Sequence, residues 1–207
     1  MGNPRVGVLA IQGDVREHIT HIQAAGGEGV LVRKLSDLDD IKGLIIPGGE
    51  STTMSILAEK NNLFPKLRSL VTEIPMFGTC AGLIMLANKI TDGRADQQTI
   101  GGLDIVAKRN AFGRQRDSFE MNLDIPVLGE LPFKGVFIRA PLVQSVGADV
   151  AVLAKIPAET FDDEDERIVA VQQGNLLATS FHPEITSDNR IHEYFLEMVR
   201  LSLIHIS

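Results

Sequence analysis

The chain has 207 residues, 44% hydrophobic and 23% charged, with a formal net charge of −7. A chain of this length buries a core without cross-links, and its acidic balance, lack of Trp and single Tyr argue against a nucleic-acid surface or a base-stacking platform. Its one cysteine excludes an intramolecular disulfide and fits a reducing, cytoplasmic setting.

Val6 to Ile11 is a continuous apolar run closed by Gln12-Gly13-Asp14, which predicts a buried first strand and not a signal peptide. Asp14 is placed to cap a helix through Ile19, Ile22 and Ala25, stopped by Gly26-Gly27. Val30 to Val32 and Leu44 to Ile46 follow as short strands, the second running into Pro47-Gly48-Gly49-Glu50-Ser51-Thr52. Met54 to Lys60 and Leu67 to Thr72 carry helical spacing, with Ser51 or Thr52 as a cap. Pro75 to Phe77 is a fourth strand, and a helix is expected over Ala81 to Ala87. Alternation of strands and helices predicts a mostly parallel sheet covered on both faces, with ligands beyond the strands' carboxyl ends.

The second half changes character. Gly101 to Arg109, Ser118 to Asp124 and Gly135 to Ile138 are predicted strands with few helices between them. Ile168 to Val171 and Leu176 to Phe181 flank Gly174-Asn175, a hairpin signal. A last helix is expected from Asn189 to about Leu203. The run Asp162 to Glu166 is expected to be a solvated loop. No apolar run approaches the ~18 residues of a membrane span.

The chemistry concentrates around Cys80. It sits between a strand and a helix in Gly78-Thr79-Cys80-Ala81-Gly82, the thiol counterpart of a nucleophile elbow. A helix N-terminus beneath the sulfur favours thiolate and offers free N–H groups to an oxyanion. The competing reading is a buried structural cysteine. Of the five histidines, His182 ends an apolar strand and precedes Pro183 and Glu184. Proline favours an extended His182, so that Glu184 shares its face and orients the imidazole. His18 and His21 lie three apart on the first helix without a third metal ligand, and His192 and His205 are expected at the surface. The Gly48-Gly49 loop can supply a second oxyanion donor; as a phosphate loop it lacks the usual Lys.

With these residues in place, the chain resembles the class I, triad-type glutamine amidotransferases: Gly78 to Gly82 first, then Ser180-Phe181-His182-Pro183-Glu184. Within that superfamily it is similar to the glutaminase-subunit family of glutamine-dependent pyridoxal 5′-phosphate synthases. The similarity is carried by GVLAIQGDVREH (Gly7 to His18), PGGESTT (Pro47 to Thr53), MFGTCAGLI (Met76 to Ile84), RNAFGRQ (Arg109 to Gln115) with Ser118-Phe119-Glu120, GVFIRAP (Gly135 to Pro141) and TSFHPE (Thr179 to Glu184).

The resemblance implies a flavodoxin-like α/β fold in a single glutaminase domain over 1–207. It implies hydrolysis of L-glutamine to glutamate and ammonia without metal or cofactor, by Cys80 as nucleophile, His182 as base and Glu184 as its partner. It implies oxyanion donors at Gly49 and Ala81, and glutamine contacts from Gly49, Glu50, Ser51, Arg109, Ile138 and Arg139. The residues alone do not choose Arg109 and Arg139 over Arg114 or Arg116. The implied partner is a (β/α)₈-barrel synthase subunit that takes the ammonia in a large hetero-oligomer. Gln12, Gly13 and the first helix are the candidate partner-facing residues. Two features depart from the family pattern: a long acidic segment around Phe161 to Arg167, and the tail Leu201 to Ser207. The alternatives are a single-cysteine hydrolase or chaperone of the wider α/β superfamily, and a catalytically dead regulatory subunit.

Overall fold

The computed structural model describes residues 3–109, 118–161 and 165–205. In chain order its first half contains β1 (Arg5–Leu9), α1 (Val15–Ala24), β2 (Glu28–Val32), β3 (Gly43–Ile46), α2 (Ser51–Lys60), α3 (Phe64–Leu70), β4 (Met76–Thr79) and α4 (Ala81–Leu86). The second half adds β5 (Ala87–Thr91), β6 (Leu103–Lys108), β7 (Ser118–Leu123), β8 (Phe133–Ile138), β9 (Leu142–Val146), β10 (Ala151–Ile156), β11 (Arg167–Gln173), β12 (Leu176–Thr179) and α5 (Arg190–His205).

The main sheet runs in the order β2-β1-β3-β4-β12-β11-β9-β6-β5, with β10 on β11. The pairs from β2 to β12 are parallel. From β12 through β6 the neighbours are antiparallel, and β7 pairs with β8 as a separate hairpin. This is the expected α/β architecture, with its antiparallel portion in the second half.

Alternation along the strands divides the core in two. Leu44, Ile46, Met76, Leu176 and Ala178 face one cluster, with Met54 and Ala58 of α2 and Leu67 of α3. Val8, Ile45, Phe77 and Leu177 face the other, with Ile22 of α1 and Phe195 and Val199 of α5. Register aligns Val8, Ile45, Phe77 and Leu177 across four strands. The same register brings the ends of β3, β4 and β12 level, with Ile46 opposite Gly78 and Thr79 opposite Thr179. The loops leaving these strands therefore emerge side by side.

Several elements differ from the sequence-based expectation. The helix after Cys80 stops at Leu86, and Ala87–Thr91 is a strand. No glycine or proline marks that switch in Leu83-Ile84-Met85-Leu86-Ala87-Asn88. β9 and β10 are strands beyond those expected, although Pro141, Gly147-Ala148-Asp149 and Pro157 bracket them. His192 is a correction: it is fully buried, not at the surface. It shares a helix face with Phe195 and Leu196, and its ring meets Phe77 edge-on at 5.9 Å. The tail through His205 continues α5. Arg114, Arg116, Asp162 to Glu164 and residues 206–207 lie outside the described residues.

Candidate active site

Cys80 sits at the β4–α4 junction with φ 49° and ψ −104°, a left-handed backbone rare for a residue with a Cβ. Its N–H donates to Thr179 O at 2.8 Å, pinning it to the end of β12. The flanking glycines are required by packing. A Cβ at Gly82 would run into the Ile46 carbonyl, and one at Gly78 into the Gly82 carbonyl. The elbow is thus pressed against β3, with the first N–H groups of α4 beside the sulfur and unpaired within the helix.

β12 delivers His182 to the same place. Its N–H donates to Val136 O at 2.8 Å. Nδ1 donates to Glu184 Oε1 at 2.7 Å, and both side chains are buried. The pairing expected from sequence is present, but Glu184 reaches the ring from a short 3₁₀ turn, Pro183–Ile185, and not from an extended segment. Burial pulls the His182 imidazolium toward neutrality. Hydrogen bonds to Cys80 and Glu184, with the charges behind them, outweigh it and push the group up to about 10. Burial alone would raise Glu184; the fields of His18 and His182 and the His182 hydrogen bond leave it below the usual carboxylate range.

The Gly48-Gly49 loop closes over the imidazole. A Cβ at Gly48 would overlap the His182 ring, and Gly49 has φ 152°. Gln12 Oε1 accepts from Glu50 N–H at 2.8 Å, and Asp14 N–H donates to Gly48 O at 3.4 Å. The loop after β1 therefore braces the loop after β3.

The cap of α2 is Glu50, in place of the predicted Ser51 or Thr52. Its carboxylate accepts from the N–H groups of Thr52 at 3.0 Å and Thr53 at 2.7 Å. Arg109 Nη2 donates to Glu50 Oε1 at 2.9 Å. Burial would raise Glu50, but the Thr53 and Thr52 donors prevail and hold it at about 2. Arg109 Nη1 also donates to Gln97 Oε1 at 3.1 Å, and Gln97 Nε2 donates to Ser51 Oγ at 3.0 Å. Gln97, which no motif or spacing singles out, is the hub of this bracket.

A cavity of about 340 Å³ opens over the elbow. Cys80, Ala81, His182, Gly49, Glu50, Ser51, Arg109, Ile138 and Arg139 all line it, so every candidate residue except the enclosed Glu184 borders one space. Gln12, Asp14, Ile84 and Pro141 complete the wall. Ile138 O accepts a long contact from the Cys80 thiol at 3.9 Å. Asp14 sits at the cap position of α1 without a side-chain capping bond. Its Oδ2 lies 3.6 Å from His182 Nδ1. Burial and the Glu184 charge raise its carboxyl, against the pull of His182. Asp14, His182 and Glu184 form the one group of potential metal ligands among the described residues. The histidine nitrogen in that group is already engaged by Glu184.

Chemically, the site presents a buried thiol on a strained turn, an imidazole oriented by a carboxylate, and backbone N–H groups at a helix start. This is the equipment of acyl transfer through a thioester.

Residues 8–201 match the model of the SNO glutamine amidotransferase family. The chain is 53% identical over 199 residues to a protein named pyridoxal 5′-phosphate synthase subunit PdxT from Leifsonia xyli, covering 96% of this chain and 97% of that one. It is 52% identical over 201 residues to the protein of the same name from Streptomyces avermitilis, covering 97% and 96%. Among solved structures, one described as a glutamine amidotransferase superposes with a TM-score of 0.84 at 46% identity, over 94% of this chain and 98% of that one. A glutamine amidotransferase from Thermotoga maritima shares the fold, with a TM-score of 0.58 at 13% identity over 99% of this chain and 97% of that one.

Proposed function

This chain belongs to the SNO glutamine amidotransferase family, and on that premise we propose that Cys80, His182 and Glu184 hydrolyse L-glutamine to glutamate and ammonia. The observation that carries the reading is the His182 imidazole, bonded to Glu184 at 2.7 Å and bordering one cavity with Cys80 on the elbow.

His182 takes the proton of the Cys80 thiol, and the thiolate attacks the side-chain amide carbon of glutamine. The resulting oxyanion is held by the N–H groups of Gly49 and Ala81, each worth on the order of 10²–10³ in rate. The imidazolium gives its proton to the departing ammonia, and the carbon–nitrogen bond breaks. Water then attacks the thioester and passes a proton to His182, releasing glutamate and freeing the Cys80 sulfur. Glu50, Ser51, Arg109, Ile138 and Arg139 form the wall that holds the amino acid. In this reading Arg109 acts through Glu50, fixing the carboxylate that caps α2. The reaction draws on no metal or cofactor.

The ammonia passes to a (β/α)₈-barrel synthase subunit in a large cytoplasmic hetero-oligomer that makes pyridoxal 5′-phosphate, with the whole chain acting as one glutaminase domain. The names of the relatives from Leifsonia xyli and Streptomyces avermitilis support this assignment. No helix among the described residues is long and apolar enough to cross a membrane.

The test measures ammonia release from glutamine with and without the barrel subunit. Activity is expected to rise in its presence and to vanish in Cys80→Ala. A glutamine-mimicking electrophile should add one adduct to the intact mass of the unaltered chain and none to Cys80→Ala. Substantial hydrolysis by Cys80→Ala would end the thiol mechanism.

A further inference from the structure

The triad leaves one half of Glu184 unexplained. Oε1 meets His182, whereas Oε2 is buried and has no hydrogen-bond donor. A carboxylate oxygen in that position is costly unless a donor restrains it. The group set against it is His18 Nε2 of α1, at 3.5 Å, and both side chains are inaccessible to solvent. The same Nε2 lies 3.3 Å from the hydroxyl of Thr79, the residue before Cys80. On its other side, His18 Nδ1 is 2.9 Å from His192 Nε2 of α5.

This geometry dictates where the protons are. Burial lowers His18 to about 4 and His192 well below its ordinary value. Near pH 7 both are neutral, each with one donor and one acceptor nitrogen. An ionised carboxylate only accepts, so His18 faces Glu184 with Nε2–H and keeps Nδ1 as an acceptor. His192 must then donate from Nε2, leaving its Nδ1 unprotonated. That Nδ1 is itself buried without a partner. The two unpartnered atoms, Glu184 Oε2 and His192 Nδ1, thus lie at opposite ends of a single directional chain.

We propose that His18, oriented by His192, is a positioning residue for the triad: its Nε2–H restrains the second oxygen of Glu184 and so fixes His182 against Cys80. The role rests on the reading of Cys80, His182 and Glu184 as the hydrolytic machinery. At 3.5 Å the contact is longer than a good hydrogen bond, and Thr79 competes for the same proton. His21, one turn along α1, lies with its Nε2 3.2 Å from the Glu184 carbonyl oxygen. α1 therefore grips the turn at two points. The charged or titratable groups facing this chain are Glu17, His21 and His182 around His18, and Asp14, Cys80 and Glu184 around His182.

The experiment uses the full chain together with the barrel synthase subunit, in four forms: unaltered, His18→Ala, His18→Gln and His192→Leu. Glutamine hydrolysis is measured, and alkylation of Cys80 by iodoacetamide is followed against pH in the same proteins. Glutamine at position 18 offers an amide N–H near the site of Nε2. His18→Ala is expected to lose about tenfold or more in kcat with KM within about twofold. His18→Gln recovers most of that loss, and His192→Leu falls between them. In His18→Ala the alkylation midpoint moves to higher pH, because a loosened Glu184 supports imidazolium and thiolate less well. It returns in His18→Gln. Unchanged kcat and midpoint in His18→Ala overturn the proposal, as does a loss that glutamine fails to recover. Should His18→Ala not fold, unaltered behaviour of His192→Leu in both readouts overturns it. Absence of glutamine hydrolysis in all four forms, with the midpoint still moving, removes the substrate assignment and leaves the positioning role standing.

Discussion

At the scale of single residues, the site depends on how each polar group is answered. Glu184 fixes the tautomer of His182 by accepting from Nδ1–H at 2.7 Å. Replacing it with Gln presents an amide N–H₂ or a weaker carbonyl to the same nitrogen. We expect Glu184→Gln to lower kcat on the order of 10²–10⁴-fold with little change in KM, measured as steady-state ammonia release. Glu50 illustrates the other way of holding a charge: three hydroxyl and amide donors and Arg109 surround it. Gln97→Ala removes the brace from Arg109 and Ser51, so KM for glutamine should rise several-fold while kcat changes less. Cys80, His182 and Glu184 were legible in the sequence because each sits beside residues that announce a turn. His18 and His192 were not. A histidine within a helix gives no sign of burial on its own. The available signal was His192 sharing its helical face with Phe195, Leu196 and Val199.

At the scale of elements, the working parts are loops made rigid by contact with one another. Gly82 touches the Ile46 carbonyl so closely that any side chain there must separate α4 from β3. Gly82→Ala should therefore cost a few kcal/mol of stability and most of the activity, seen as a lower melting temperature together with slowed alkylation of Cys80. The strands and helices of the first half were readable because turn residues separate short apolar runs. The α4–β5 switch was hidden, because one apolar run serves both elements and only the backbone at Ala87, with ψ 140°, separates them. The capping of α2 was misassigned for a related reason. Glu50, Ser51 and Thr52 stand in a row at the helix start, and in the fold Glu50 is the one whose carboxylate reaches the N–H groups of Thr52 and Thr53, with Arg109 beside it.

At the scale of the whole molecule, buried histidines set the response to acid. His18 is held at about 4, against an ordinary 6.5, by burial. The unfolded chain therefore takes up a proton that the folded chain refuses, and stability falls as pH drops from 6.5 toward 4. His192 acts in the same direction. Glu50, held at about 2, adds stability above its ordinary 4.5 that is lost as pH falls further. His182 works in the opposite sense. Raised to about 10, it stabilises fully below 6.5 and loses that contribution as pH climbs through 10. The melting temperature should thus peak near neutrality, and His192→Leu should flatten its decline between pH 6.5 and 4, followed by circular dichroism.

The parallel pairing of β4 with β12 has a consequence for how the protein is made. β4 leads into Cys80, the proposed nucleophile, and β12 leads into His182, the proposed base, from a much later part of the chain. A ribosome exposes Cys80 long before His182 has been synthesised, and the thiol meanwhile lacks the imidazole that would activate it. The central pair can close only once Leu176–Thr179 have emerged. On the proposed mechanism, a chain that stops before β12 is expected to release no ammonia from glutamine.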